Sequence, residues 1–226
     1  MKNPRPSQHP GFTLIELLVV IVIIGIIASL AIPAVLKARE RAQITKSANN
    51  MRQIFFATRM YLDDHNETYF WRGVTSTNLS DVATEGMDWY VFGGRGSNNL
   101  SSAQGGLFNK YDPRSINQYV NNDLTVFRHP SDYSIFENGA SHYENYGNDY
   151  AFNSLGYPGL WNSGLSGVTA MEITDPSATI MFIETHLLKP NLKWAGGPKG
   201  HIMLADGRLV FTTLPPSDNS VYRWGP

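Results

Sequence analysis

One carboxylate is notable for the apolar sequence that surrounds it. Glu16 is the only strongly polar side chain in residues 12–36. A charged carboxylate in the apolar part of a membrane helix costs about 2.5–3.5 kcal/mol on insertion scales. Two roles fit this cost. Glu16 either lies at the headgroup boundary and extends into water, or neutralises a positive charge in the same poorly hydrated setting.

A second group of side chains consists of residue types that bind metals. Imidazole and carboxylate groups are common ligands of divalent ions, and four lie near the C-terminus: Glu184, His186, His201 and Asp206. They would converge if segments 179–185 and 201–206 pair as strands. Their spacing matches no established metal motif. Scattered surface histidines and a turn aspartate are the simpler interpretation, so we predict no metal site here.

Composition argues against several other kinds of chemistry. The 226 residues include no cysteine, which excludes disulfides, thiolate metal sites and a cysteine nucleophile. The formal net charge of −1 gives no electrostatic reason to expect a nucleic-acid partner. No phosphate-binding, dinucleotide-binding or hydrolase motif is present. We therefore do not expect an enzyme.

The segment around Glu16 has the length and composition of a membrane span. Residues 17–28 are apolar apart from Gly25, and residues 17–36 would span about 30 Å as a helix, the thickness of a bilayer core. Such a run is rare in a buried core helix and long for a secretory signal peptide. Both stay alternatives to a helix that anchors the chain in a membrane.

The residues before and after this span resemble a known processing site. A leader with Lys2 and Arg5 but no acidic residue ends at Gly11, Phe12 follows, and Glu16 is the fifth residue after the glycine. This pattern resembles the cleavage and methylation motif of type IV pilins and type II secretion pseudopilins. The motif is specific, but it covers only the N-terminal part of the chain.

The resemblance implies a route of export and a mode of assembly. A prepilin peptidase would cut after Gly11 and methylate the amine of Phe12, and Glu16 would pair with that amine on a neighbouring subunit. Pro33 matches a proline common in the mature helix of this family, and we expect a kink or local unwinding there. The implied topology is a single inner-membrane pass with a cytoplasmic leader and an extracytoplasmic head. The implied partners are other pilin-like subunits and an assembly platform.

The helix is expected to continue past the membrane span. No helix breaker occurs between Pro33 and Asn66, and the apolar side chains of this part recur at helical spacing: Ile44, Ala48, Met51, Phe55, Thr58 and Leu62. We predict four parts: a leader at 1–11, a transmembrane and filament-core helix at 12–36, an amphipathic helix at 37–66 and a globular head at 67–226.

The head has the sequence features of an antiparallel sheet. Residues 179–184 (TIMFIE) are rich in β-formers, and in HIMLADGRLVFTT (201–213) the pair Asp206-Gly207 is typical of a type I′ hairpin turn. The predicted fold class is α+β and pilin-like, with a long N-terminal helix packed on a C-terminal antiparallel β head.

Four segments of the head resemble a pseudopilin-like family with a C-terminal Asp-Gly hairpin: 125–132, 145–154, 175–185 and 201–211. His129 stands where that family commonly has cysteine. Gly196 and Arg208 stand where it has histidine, so roles of cysteine or histidine at these positions do not carry over. Some major pseudopilins bind calcium in a C-terminal loop. The aspartates available for calcium show no calcium-loop spacing: Asp149, Asp175, Asp206 and Asp218.

Two classes of function fit these features. The first is a structural subunit of a type IV pilus-like filament or a type II secretion pseudopilus. The second is a membrane-tethered extracytoplasmic binding protein that uses a prepilin-type export signal. We predict the first class. Secretion, adhesion, motility and DNA uptake all stay open as the task of the filament.

Overall fold

A computed structural model describes residues 13–70, 90, 92–95, 114–131, 141–154, 156, 164–188, 199–213 and 221–226. The predicted processing residues Gly11 and Phe12 lie outside the described residues, as does Asp218. The chain divides into two compact units, Met1–Ala42 and Gln43–Pro226.

The first unit contains the apolar part of helix α1, which extends from Leu14 to Asp64. The most apolar stretch of 18 residues has a mean hydropathy of 3.0, and none of it is buried within the protein. The large apolar side chains from Leu14 to Leu36 are exposed. By length and composition, the helix can cross a membrane. The predicted long apolar N-terminal helix is confirmed.

Pro33 lies inside α1, and the helix is unbroken on both sides of it. A proline in a helix interior removes one i→i−4 hydrogen bond, and the bonds of the neighbouring turns can keep the helix intact. The helix of the single chain is therefore continuous at Pro33. The kink or local unwinding that we expect there stays a prediction for the assembled helix.

In the second unit, α1 buries one face that is partly polar. Met51, Thr58 and Leu62 are buried as predicted, whereas Ile44, Ala48 and Phe55 are only half-buried. The whole buried set recurs at helical spacing: Ser47, Asn50, Met51, Ile54, Ala57, Thr58 and Leu62. The sequence pattern located this face only approximately, because it considered mainly apolar residues. Polar side chains that are buried together with a hydrogen-bond partner were therefore not predicted.

The sheet of the second unit has four antiparallel strands in the order β1-β2-β3-β4. The strands are β1 (Tyr150–Phe152), β2 (Ile180–Glu184), β3 (Lys199–Leu204) and β4 (Leu209–Thr213). One hydrophobic cluster contains Phe152, Phe182 and Met203 together with Met51 and Ile54 of α1, and a second contains Ala151, Ile183 and Ile202 together with Trp224. The predicted α+β fold class is confirmed.

The hairpin between β3 and β4 has a different turn from the predicted type I′. The Gly207 N–H donates to the Leu204 carbonyl at 3.0 Å, and the Leu204 N–H donates to the Arg208 carbonyl at 2.9 Å. Gly207 has φ 90°, but Asp206 is not among the positive-φ residues, whereas a type I′ turn needs positive φ at both central positions. The loop therefore has three residues, with glycine in the left-handed position.

Short helices and buried polar side chains fix the described loops. Two are α-helices, α2 (His142–Tyr146) and α3 (Thr185–Leu188), and three are 3-10 helices, Asn117–Val120, Leu124–Phe127 and Ala170–Glu172. The buried Arg114 guanidinium donates to the carbonyls of Tyr90, Gly93 and Tyr146 at 2.8–3.0 Å. These bonds join loop segments that are far apart in the sequence.

Candidate functional site

Glu16 takes part in a capping box at the start of α1. Its Oε2 accepts hydrogen bonds from the Thr13 backbone N–H at 2.9 Å and from the Thr13 hydroxyl at 2.7 Å. The Glu16 N–H donates to the Thr13 hydroxyl at 3.3 Å. This reciprocal pattern satisfies N–H groups that have no partner inside the helix. The sequence signature of this capping box is Thr13-x-x-Glu16. Reasoning that considered only the charge of Glu16 did not predict the box.

A buried cluster of one carboxylate and three imidazoles surrounds the end of β2. His201 Nδ1 lies 2.7 Å from Glu184 Oε1, His186 Nε2 lies 3.4 Å from Glu184 Oε2, and His129 Nε2 lies 3.7 Å from Glu184 Oε1. All four residues are buried. We call Glu184, His129, His186 and His201 the Glu184 cluster.

Strand pairing and one loop bring the members of the Glu184 cluster together. Ile183 in β2 pairs with Ile202 in β3, which places the adjacent residues Glu184 and His201 on neighbouring strands. His129 follows the 3-10 helix Leu124–Phe127, and its backbone N–H donates to the Asp149 carboxylate at 2.7 Å. The cluster therefore joins segments that are distant in the sequence.

The turn after β2 directs His186 back toward the carboxylate. Thr185 donates two hydrogen bonds to the Asp149 carbonyl, from its N–H at 3.2 Å and from its hydroxyl at 2.7 Å. These bonds fix the start of α3. His186 Nε2 then lies 2.8 Å from the Lys199 carbonyl at the start of β3, so the imidazole lies between the end of β2 and the start of β3.

Two polar side chains on the buried face of α1 complete the surroundings of Glu184. The Ser47 hydroxyl hydrogen-bonds to Glu184 Oε1 and lies 3.1 Å from the Tyr150 hydroxyl. Asn50 Nδ2 donates to the Tyr150 hydroxyl at 3.3 Å and to the Arg128 carbonyl at 3.0 Å. These contacts explain why Ser47 and Asn50 lie on a face that is otherwise apolar.

The electrostatics favour a charged carboxylate beside a neutral imidazole. Burial by itself would raise the pKa of Glu184, but hydrogen bonds and charge interactions with His129 and His201 hold it well below its usual value. Burial lowers the pKa of His186 to about 4, although the Glu184 charge opposes this shift. Burial also holds the pKa of the Tyr150 hydroxyl well above its usual value. At neutral pH Glu184 is anionic and His186 is uncharged.

Three of the four side chains considered as metal ligands meet in this cluster. Glu184, His186 and His201 converge, whereas the Asp206 carboxylate accepts the Arg208 N–H at 2.9 Å in the hairpin loop. The interpretation of these histidines as scattered surface residues is wrong, because both are buried. His129 was missed as a member, since nothing in its local sequence indicates that it folds against β2.

The aspartates considered for calcium have other partners. The Asp149 carboxylate accepts the His129 N–H and lies 3.2 Å from His142 Nδ1, and Asp175 accepts the Ser177 hydroxyl at 2.7 Å. Within the described ranges, no aspartate belongs to a group of three or more potential metal ligands. The geometry of the described residues therefore gives calcium no particular support.

A solvent-accessible pocket lies next to the Glu184 cluster. Its volume is about 370 Å³, and its lining residues include two cations: Lys46, Thr125, Arg128, His129 and Pro130. His129 belongs both to this lining and to the cluster. The pocket therefore borders the cluster at His129.

Similarity to known proteins covers only part of the chain. Residues 7–32 match the family model of the prokaryotic N-terminal methylation motif. The type II secretion system core protein G of Pseudomonas aeruginosa is 41% identical over 58 residues, 26% of this chain and 41% of that protein. The type IV major pilin protein PilA of Myxococcus xanthus is 37% identical over 62 residues, 27% of each chain.

A longer match covers nearly half of the chain. The type IV major fimbrial protein FimA of Dichelobacter nodosus is 36% identical over 105 residues, 45% of this chain and 62% of that protein. The chain thus spans less than two thirds of the length of each of these three relatives. No solved structure matches it. The prepilin-type N-terminus predicted from the sequence is confirmed.

We expect Glu184→Gln to lower the free energy of unfolding of the second unit by about 3 kcal/mol. The amide carries no charge and would turn an N–H toward imidazole donors inside a buried network. Denaturant unfolding of the detergent-solubilised chain, followed by near-UV circular dichroism, measures the change. Glu172→Gln is the matched control, because Glu172 is an exposed capping-box residue, and glutamine serves in that role. Equal stability of the two variants would contradict a structural role of the Glu184 charge.

Proposed function

We propose that this pilin-like chain is a structural subunit of a type IV pilus-like filament or a type II secretion pseudopilus. The observation that carries the proposal is an exposed apolar helix that directly follows a prepilin-type motif. Relatives named as type IV pilins and as a core protein of the type II secretion system support both kinds of filament.

The exposed apolar face of α1 needs surroundings that the described part of the chain does not provide. Burying one large aliphatic side chain is worth about 1.5–3 kcal/mol, and α1 exposes many of them between Leu14 and Leu36. Before assembly, lipid would cover this face, and in a filament the equivalent helices of other copies would replace the lipid. The same residues thus serve as a membrane anchor and as an assembly surface.

Processing would create the charge that Glu16 meets. A prepilin peptidase would cut after Gly11, leave a methylated ammonium on Phe12 and place the head outside the inner membrane. In the filament, Glu16 of one subunit would neutralise the Phe12 ammonium of its neighbour, where the low dielectric strengthens the interaction. Both capping bonds use Glu16 Oε2, so capping its own helix is compatible with pairing through Oε1.

The first prediction concerns the mature N-terminus. The chain extracted from membranes of its native host should begin at Phe12 and carry one N-terminal methyl group, because the motif places the cut there. Intact-mass analysis and sequencing of the N-terminal peptide measure both features. An uncut chain, or a cut that removes Glu16 with the leader, would contradict the prepilin-type processing.

The second prediction separates the charge of Glu16 from its capping role. Glu16→Gln keeps an oxygen that can complete the capping box but removes the charge. We expect the sheared-filament yield, relative to the membrane pool of subunit, to fall at least about tenfold, because each interface would bury an unpaired ammonium. The head should stay folded, since Glu16 lies outside the second unit.

Thr13→Ala is the matched control for this experiment. It removes the hydroxyl that bonds to Glu16 but keeps the charge, so the filament yield should stay close to that of the wild type. A normal yield from Glu16→Gln would show that charge pairing is not what Glu16 contributes. A loss in Thr13→Ala alone would instead assign the role to the helix cap.

A further inference from the structure

The spacing within the Glu184 cluster matches the ligand shell of a metal ion. Potential ligand atoms of His129, Glu184 and His186 all lie within 4.8 Å of one another. The 3.4 Å from His186 Nε2 to Glu184 Oε2 and the 3.7 Å from His129 Nε2 to Glu184 Oε1 exceed the usual length of an N–H···O hydrogen bond. Ligands at about 2.0–2.1 Å from a tetrahedral ion lie roughly 3.3 Å apart.

We propose that His129, Glu184 and His186 bind one divalent transition-metal ion, with zinc as the probe of choice. Two imidazoles and a carboxylate are borderline ligands that suit zinc and its neighbours, whereas calcium and magnesium prefer oxygen ligands alone. The site goes beyond the proposed filament function, since nothing in subunit assembly through α1 requires it.

The charges and the burial of the three ligands fit a bound cation. Glu184 Oε2 is buried and accepts no hydrogen bond from the described residues, which is costly for a carboxylate oxygen. A metal ion would satisfy this atom and compensate the negative charge.

Neighbouring groups hold the carboxylate in place. His201 Nδ1 donates to Glu184 Oε1 at 2.7 Å, and the Ser47 hydroxyl bonds to the same oxygen. Outer contacts of this kind orient metal ligands, and their loss typically weakens metal binding about 10–100-fold. His201 is therefore a positioning residue for the proposed site.

The backbone at Gly200 leaves space beside two of the ligand atoms. A Cβ at this position would lie 2.5 Å from His186 Nε2 and 2.7 Å from Glu184 Oε2. Any side chain would press on the two atoms that face the ion. His186 Nε2 cannot bind a metal and keep its hydrogen bond to the Lys199 carbonyl at the same time. The cluster therefore has two exclusive states, one with this hydrogen bond and one with a bound metal.

A metal in this position would act as a cross-link. The ligands come from the loop at His129, the end of β2 and the start of α3. The chain has no cysteine and hence no disulfide. All three ligands are buried, and a metal that binds only the folded chain would add its binding free energy to the stability of the fold.

The test uses the full chain, purified in detergent with an affinity tag that lacks histidine. We expect mass spectrometry to find about one equivalent of a transition metal per chain, or tight uptake of one zinc ion by the metal-free protein. X-ray absorption should show only nitrogen and oxygen ligands, including imidazole. Removal of the metal with a chelator should lower the melting temperature by several degrees, and zinc should restore it.

Variants connect the metal to these residues. Competition with a chromophoric chelator should show zinc affinity reduced at least about tenfold in His186→Gln, His129→Gln and His201→Gln. His142→Gln is the matched control, because His142 is also a buried imidazole beside a carboxylate but lies outside the three ligands. Its zinc affinity should equal that of the wild type.

Two outcomes would overturn the proposal. One is a wild-type chain that binds less than a tenth of an equivalent of zinc and whose melting temperature does not respond to chelation. The other is zinc uptake that His129→Gln and His186→Gln leave unchanged. If a variant fails to fold, the chelation and reconstitution of the wild-type chain decide the question alone.

Discussion

The buried charge of Glu184 is the interaction on which the second unit depends. An ionised carboxylate removed from water costs several kcal/mol unless charge and hydrogen bonds compensate it. Here the compensation comes from Ser47 on α1, His201 on β3 and His129 on a loop. Because each partner belongs to a different element, satisfying one carboxylate fixes the positions of several segments. A metal ion bound by His129, Glu184 and His186 would strengthen the same constraint.

The two notable carboxylates of the chain have opposite environments. Glu184 is buried and has its partners within the second unit, whereas Glu16 is exposed at the start of an uncovered apolar helix and caps that helix. The first therefore serves the fold of one chain. For the second we propose a role in contacts between chains, because a charge in an apolar setting requires a counter-charge. Substitutions at the two sites should accordingly have separable effects, on stability in one case and on assembly in the other.

The sequence predicted those features that depend on local pattern. A long apolar run followed by helical periodicity identified α1, and the β-rich residues 179–184 and the Asp-Gly pair located three strands of the sheet. What it missed depends on distant partners. The polar side chains of Ser47 and Asn50 are buried because they bond to Glu184 and Tyr150, and the local sequence does not show these partners. His129 joins the cluster only because its loop folds against β2. The hairpin turn differs from the expected type because Ala205 belongs to the loop, a register choice that strand pairing decides.

If the chain is a repeating subunit of a filament, as we propose, it should occur along the whole length of that filament. Immunogold electron microscopy of the native cell surface and of its sheared fraction, with antibody against the folded second unit, detects it there. We predict label along filaments at many positions, and loss of both filaments and label from the sheared fraction when the gene is deleted. Label confined to membrane, with no labelled filament in cells that carry an active assembly system, would contradict it and favour a membrane-tethered binding protein.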